Sequence, residues 1–195
     1  MKPLVFWFEF ASTYSWIAVE RLASLPAGSP PVRWRPFLLG PIFKAKGWNT
    51  SPFNLDAAKG AYMWRDLGRL AAGFGLRAHR PQPFPQNGLR AARIATACSD
   101  AAWLQHFVRA VFRAQFVDGR DIADDAVIVD ALHGLVPDVP AVLEAADLPA
   151  TKAKLRDATT EAQGLGIFGA PSFTVGDELF WGQDRLADAL AWAQR

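Results

Sequence analysis

The stretch Phe6-Trp7-Phe8-Glu9-Phe10-Ala11-Ser12-Thr13-Tyr14-Ser15-Trp16 decides the reading of this chain. Its first half is apolar and aromatic, as a core strand is, and its second half opens a helix. Ser12 stands at the junction, where a hydroxyl can accept a hydrogen bond from an unpaired N–H of the first helical turn. A protein that exchanges disulfides from such a junction carries Cys-x-x-Cys there. Here both sulfur positions are hydroxyls, Ser12 and Ser15. The junction therefore reads as a place that holds another molecule's thiol and performs no disulfide chemistry of its own.

Working outward, residues 5–10 are expected as a strand and residues 13–24 as a helix with Trp16, Val19, Leu22 and Ala23 on one face. After a turn-rich break at 26–31, Val32-Arg33-Trp34-Arg35-Pro36-Phe37-Leu38 alternates like a second strand. Strand, helix, strand at this spacing is a parallel βαβ unit with a right-handed crossover. Residues 40–54, rich in Gly, Pro, Asn and Ser, read as a loop. Helical patterns follow over 55–74, 88–99, 101–116, 124–132, 139–146 and 150–165. The end returns to strand character: Gly169-Ala170-Pro171-Ser172-Phe173-Thr174-Val175 and Glu178-Leu179-Phe180-Trp181, joined by the hairpin signal Gly176-Asp177. Gly182-Gln183-Asp184 then opens a last helix. The order βαβ, helical block, ββα gives an α/β chain with a thioredoxin-like fold and an all-helical domain inserted. The expected boundaries are 1–50 and 160–195 for the discontinuous thioredoxin-like domain and 51–159 for the insertion.

Composition narrows the function classes. At 51% hydrophobic residues and a mean hydropathy of +0.05, the 195-residue chain has ample core material. A net charge of +2 with both signs interspersed offers no concentrated basic face for nucleic acid. Cys98, the single cysteine, excludes an internal disulfide and a Cys-rich metal site, and reads as a small half-buried core residue. His79, His106 and His133 are scattered without metal spacing, so no metal is expected, and nothing in the sequence places a histidine beside Ser12 for a triad. No stretch is long enough to span a membrane. Glu9 interrupts the apolar run near the N-terminus, which is read as a core strand and not a secretion signal, so a cytoplasmic location is expected.

Three places could carry chemistry. Ser12 and the free N–H groups at the helix start can stabilise an anion, and a thiolate held there has a lowered pKa; the plainer role is an N-cap. Pro171 fits either an ordinary strand start or a cis turn, which would aim the Ala170 backbone outward to pair with an extended peptide. Gln183 and Asp184 begin another helix, where Asp184 can cap or take the ammonium of an amino-acid headgroup. Glu9, just ahead of Ser12, is either a solvated strand end or a carboxyl whose ionisation is raised by burial.

Together these residues resemble one family, the 2-hydroxychromene-2-carboxylate isomerases, within the group of kappa-class glutathione transferases and DsbA-like proteins. The resemblance runs over nearly the whole chain. It is carried by Phe8-Glu9-Phe10-Ala11-Ser12-Thr13-Tyr14-Ser15-Trp16, Phe37-Leu38-Leu39-Gly40, Ala58-Lys59-Gly60-Ala61-Tyr62-Met63-Trp64-Arg65-Asp66-Leu67, Phe84-Pro85-Gln86-Asn87, Gly166-Ile167-Phe168-Gly169-Ala170-Pro171-Ser172-Phe173 and Phe180-Trp181-Gly182-Gln183-Asp184-Arg185-Leu186. It implies glutathione as cofactor and a small aromatic carboxylate as substrate, with a homodimer as the assembly. Ser12 matches the family's catalytic serine, whose hydroxyl holds the glutathione sulfur as thiolate. Ala170, before a cis Pro171, would pair with the cysteinyl unit, and Gln183 and Asp184 match the γ-glutamyl grip. Asn49 and Lys59 lie where the family loop and first insertion helix approach glutathione and substrate, with Tyr62 and Asn87 as weaker substrate candidates.

Thr13 departs from the proline usual after the family serine, Asn49-Thr50-Ser51-Pro52 only loosely follows its Asn-x-Pro-Pro loop, and Glu9 replaces its aspartate. The implied reaction is cis–trans isomerisation between 2-hydroxychromene-2-carboxylate and trans-o-hydroxybenzylidenepyruvate in aromatic hydrocarbon catabolism. Rotation about a double bond needs temporary single-bond character, which reversible thiolate addition provides. The alternative is a kappa-class glutathione transferase conjugating glutathione to electrophiles. A disulfide oxidoreductase lacks its sulfurs here, and a peptide-binding module on the same scaffold would not require Ser12.

Overall fold

The structure, a computed structural model, describes residues 2–195. Its centre is strand β1 (Leu4–Phe8), buried on both faces, which is why its sequence is continuously apolar instead of alternating. Leu4, Phe6 and Phe8 point into the main core, while Trp7 enters a smaller one with Phe37, Ile42, Ala162 and Ile167. Helix α1 (Thr13–Ala23) carries the chain to strand β2 (Val32–Pro36), which pairs parallel to β1 with Phe6 opposite Trp34. Strand β3 (Ser172–Val175) pairs antiparallel to β1 on its other side, with Trp7 opposite Ser172. Strand β4 (Glu178–Trp181) closes the hairpin across Gly176-Asp177, where Gly176 adopts φ 59°. The sheet order is β2-β1-β3-β4, so the βαβ and ββ halves foreseen in the sequence meet at β1.

Between β2 and β3 lie α2 (Leu39–Ala45), α3 (Pro52–Leu55), α4 (Ala57–Ala72), α5 (Leu89–Ala97), α6 (Leu104–Phe116), α7 (Asp125–Leu132), α8 (Val139–Asp147) and α9 (Pro149–Gly164). A 3₁₀ turn at Gln183–Arg185 leads into α10 (Leu186–Ala193). The loop expected over 40–54 is in fact partly helical. Its prolines caused the misreading: Pro41 and Pro52 sit in first turns, where no N–H is needed for the helical ladder. The single helix expected over 55–74 is split, because Asp56 ends α3 and caps α4, its Oδ1 accepting from the Lys59 N–H at 3.0 Å. The strand expected from 169 begins only at Ser172.

One apolar cluster runs from the sheet into the helices. Phe6 stacks on Phe8 and Phe173, and Phe10 stacks on Phe112 of α6 with centroids 5.2 Å apart. Each such fully buried aromatic stabilises the fold by about 1.5–3 kcal/mol through removal from water. Helix α1 is fixed on α6 by the Trp16–Phe116 stack at 5.5 Å and by Glu20, whose buried carboxylate accepts from both Arg109 and Arg113. Among the described residues, no helix is long and apolar enough to cross a membrane.

Candidate active site

Chain direction places the end of β1, the start of α1 and the entry to β3 at one end of the sheet. Ser12 is the N-cap of α1 with extended backbone (φ −82°, ψ 115°), and its Oγ accepts from the Ser15 N–H at 3.2 Å. The same hydroxyl donates its proton to the carbonyl oxygen of Ala170 at 2.9 Å. The Ala170–Pro171 peptide is cis. The Pro171 carbonyl in turn accepts from the Gly182 N–H at 3.0 Å, which seats the Gln183–Arg185 turn against the same edge. Gly182 has φ 109°, a backbone conformation that favours glycine, and it lies close under the Asp184 carboxylate.

The structure thus links Ser12, Ala170, Pro171, Gln183 and Asp184 through short bonded steps. Gln183 is buried and its Oε1 accepts from Arg21 Nε at 2.6 Å, leaving its side-chain amide and backbone as available donors. Asp184 is exposed, with Oδ2 3.3 Å from the Arg185 guanidinium. Ser15, the second position of the motif, is fully buried and its Oγ has no hydrogen-bond partner among the described residues. Of the two hydroxyls, Ser12 alone faces the site.

Glu9 supports the junction from behind. Its carbonyl accepts from the Ser12 N–H at 3.0 Å, and its side chain folds back so that Oε2 accepts from the Ala11 N–H at 2.9 Å. Burial pushes the carboxyl up to about 7, against the opposing pull of the Ala11 hydrogen bond. Glu9 is half-buried, its carboxyl turned back onto the Ala11 N–H instead of standing free at the strand end. Thr13, in place of a proline, donates through Oγ1 to Met63 Sδ at 3.2 Å and ties the first turn of α1 to α4. Tyr14 donates to Asp66 Oδ2 at 3.1 Å, and burial together with the Asp66 charge holds its phenol protonated well above the usual range.

The other expected residues are placed differently. Asn49 is exposed in the turn after α2, and Lys59 is exposed in the first turn of α4. Tyr62 is 61% exposed, with the Arg69 guanidinium 5.7 Å from its ring centre. Asn87 precedes Gly88, the N-cap of α5, and its Oδ1 accepts from the Leu89 N–H at 3.1 Å, so that oxygen is already engaged. Among the described residues, no hydrogen bond ties any of these four to Ser12. Three supporting residues escaped the sequence reading: Met63, Asp66 and Arg21. The first two share an i, i+3 relation on α4, a signal that could have pointed to a common face towards α1. Arg21 offered none, because its partner is 162 residues away.

Residues 3–191 match the family model described as a DSBA-like thioredoxin domain. The chain is 30% identical over 187 residues to a 2-hydroxychromene-2-carboxylate isomerase of Sphingobium xenophagum, covering 95% of this chain and 94% of that one. It is 33% identical over 187 residues to the protein of the same name from Pseudomonas putida, covering 93% and 89%. Among solved structures, a 2-hydroxychromene-2-carboxylate isomerase superposes with a TM-score of 0.86 at 26% identity, over 99% of this chain and 95% of that one. With the family model covering residues 3–191 and a relative of 30% identity matched over 94% of its length, the chain belongs to the 2-hydroxychromene-2-carboxylate isomerase family within the DSBA-like thioredoxin domains.

Proposed function

We propose that this protein is a glutathione-dependent cis–trans isomerase interconverting 2-hydroxychromene-2-carboxylate and trans-o-hydroxybenzylidenepyruvate. The observation that carries this reading is the Ser12 hydroxyl at the head of α1, 2.9 Å from the Ala170 carbonyl, at a junction without sulfur of its own. Glutathione, when bound, supplies a thiolate that adds reversibly to the conjugated side chain and so permits rotation.

The residues present fit that tripeptide. A hydroxyl has a single proton, and Ser12 spends it on the Ala170 oxygen. Turning that proton toward a thiolate would give the sulfur a donor at a helix N-terminus, where the axial dipole also favours negative charge. The same turn would free the Ala170 carbonyl to accept from the cysteinyl N–H, so both partners of the bond gain a ligand contact together. Asp184 and the Gln183 amide would take the γ-glutamyl end. Lys59 and Asn49 are proposed to meet the carboxylates of glutathione or substrate, with Tyr62 and Asn87 as further substrate contacts. Excluding water from this edge strengthens every such contact.

The test is the absorbance change of 2-hydroxychromene-2-carboxylate with purified protein, with and without reduced glutathione. Conversion to the trans-benzylidenepyruvate only when glutathione is present is the expected result. No conversion despite clear glutathione binding would overturn the isomerase reading and favour conjugation of glutathione to other electrophiles.

A further inference from the structure

We propose that Lys46 is a specificity-determining residue, its ammonium receiving the carboxylate of an aryl acid bound against an aromatic shelf made by Trp48, Phe168 and Trp181. The proposal rests on the functional reading above, for which it names a residue that binds the acceptor substrate. It begins with exposure: Trp48, Phe168 and Trp181 are 37%, 42% and 54% exposed, an unusual placement for rings of this size. They are also not scattered. Phe168 and Trp181 hold their ring centres 4.7 Å apart, and Lys46 Nζ stands 5.4 Å from the Trp48 ring and 5.5 Å from that of Phe168.

The shelf adjoins the reacting edge. Trp181 lies so closely on Gly169 that a Cβ there would meet its Nε1 at 2.6 Å. Gly169 leads directly into Ala170, the residue whose carbonyl takes the Ser12 proton. The absence of a side chain at 169 therefore lets the indole pack against the segment that borders Ser12.

The charge is what selects the ligand. Lys46 has no carboxylate within ion-pair distance among the described residues. Its ammonium rests on two ring faces, which attract a cation through their quadrupoles but accept no conventional hydrogen bond from it, leaving its N–H donors to solvent or a ligand. An aromatic anion satisfies both features at once, its ring against Phe168 and Trp181 and its carboxylate on Lys46. A neutral aromatic ligand satisfies only the first, and glutathione, which has no ring, only the second.

Direct binding tests this without requiring turnover. Titration of trans-cinnamate and of cinnamyl alcohol, followed by tryptophan fluorescence, compares an aryl carboxylate with a neutral analogue in wild type, Lys46→Ala and Lys46→Arg. We expect wild type to prefer cinnamate about tenfold, Lys46→Ala to lose that preference, and Lys46→Arg to keep most of it, with glutathione affinity unchanged in all three. No preference in wild type, or an undiminished one in Lys46→Ala, overturns the proposal. A fall in glutathione affinity matching the loss for cinnamate also overturns it, since Lys46 would then serve the tripeptide. A Lys46-dependent preference in a protein that does not isomerise the chromene would uphold this site while refuting the proposed reaction.

Discussion

The hydroxyl of Ser12 donates to the carbonyl oxygen of Ala170 across 158 residues of sequence, at 2.9 Å. The bond joins the head of α1 to the entry of β3, the two groups on which the proposed glutathione site depends. The bond engages the one proton of the Ser12 hydroxyl and one of the two lone pairs of the Ala170 oxygen. Binding therefore exchanges one internal hydrogen bond for two to the ligand, and the net gain is smaller than the contact list would suggest.

Ser12→Ala separates the two duties of this residue. Losing the donor to the sulfur is expected to lower kcat by about 10²–10³-fold, as for removal of one preorganised donor to a developing anion. Losing the N-cap bond to Ser15 and the bond to Ala170 costs about 2 kcal/mol, which lowers Tm by about 4–8 °C in a chain of this size. Glutathione affinity, which we propose rests on Ala170, Gln183 and Asp184, should be nearly unchanged. Steady-state kinetics with thermal melts would check all three, and full activity in this variant would remove Ser12 from the mechanism.

The sequence told more of this arrangement at its junctions than between them. The apolar run into Ser12 and the Gly176-Asp177 turn are local signals with local causes and stand where they were read, while the Ala170-Pro171 step, open in the sequence between a strand start and a cis turn, is cis. Proline misled at Pro41 and Pro52, because the residue that breaks a helix interior is harmless in its first turn. The fit of Gln183 to Arg21, or of Thr13 to Met63, depends on how distant helices pack, and no periodicity in either segment encodes it. The role of Glu9 was open in the sequence for the same reason: the depth of a strand end is set by what covers it.

Arg21 should act as a positioning residue for Gln183. Its Nε donates to the buried Gln183 Oε1, so Arg21→Ala leaves an amide oxygen without its partner. The expected stability loss is about 1–2 kcal/mol. In kinetics the KM for glutathione should rise several-fold while kcat changes little, because the thiol end of the ligand is untouched. Equal losses in kcat and kcat/KM would instead place Arg21 in the chemical step.

Glu9 makes stability depend on pH near neutrality. Its folded-state pKa is raised from 4.5 to about 7, so the folded protein binds a proton more tightly than the unfolded chain. The stabilisation from that proton is full below about 4.5 and is lost as pH rises through about 7. Glu9→Gln keeps an oxygen to accept from the Ala11 N–H and cannot ionise. The Tm of wild type relative to this variant should therefore fall between pH 5 and pH 8, where the variant lacks that titration. A parallel pair of Tm–pH curves over this interval would show that Glu9 ionises as it does in water.

The opposite sign applies to Glu20, on α1. Burial alone would raise its pKa, but hydrogen bonds from Arg113 and Arg109 outweigh that and hold the carboxyl below the usual range. Its contribution is present above the unfolded value of about 4.5 and is lost as pH falls through the lower folded value. Glu20→Ala would leave two guanidinium groups facing each other on α6, and is expected to cost about 3 kcal/mol. That is the lower end for breaking a buried pair, because the arginine side chains are 41% and 38% exposed and water can relieve part of the repulsion. Because Glu20 fixes the far half of the helix whose first residues frame Ser12, the same variant should loosen the site before it unfolds the protein. Denaturant titration should show the reduced stability, and activity at temperatures well below the new Tm should already be diminished. Wild-type activity under those conditions would mean that the Trp16–Phe116 stack and the Thr13–Met63 contact hold α1 in place without the ion pair.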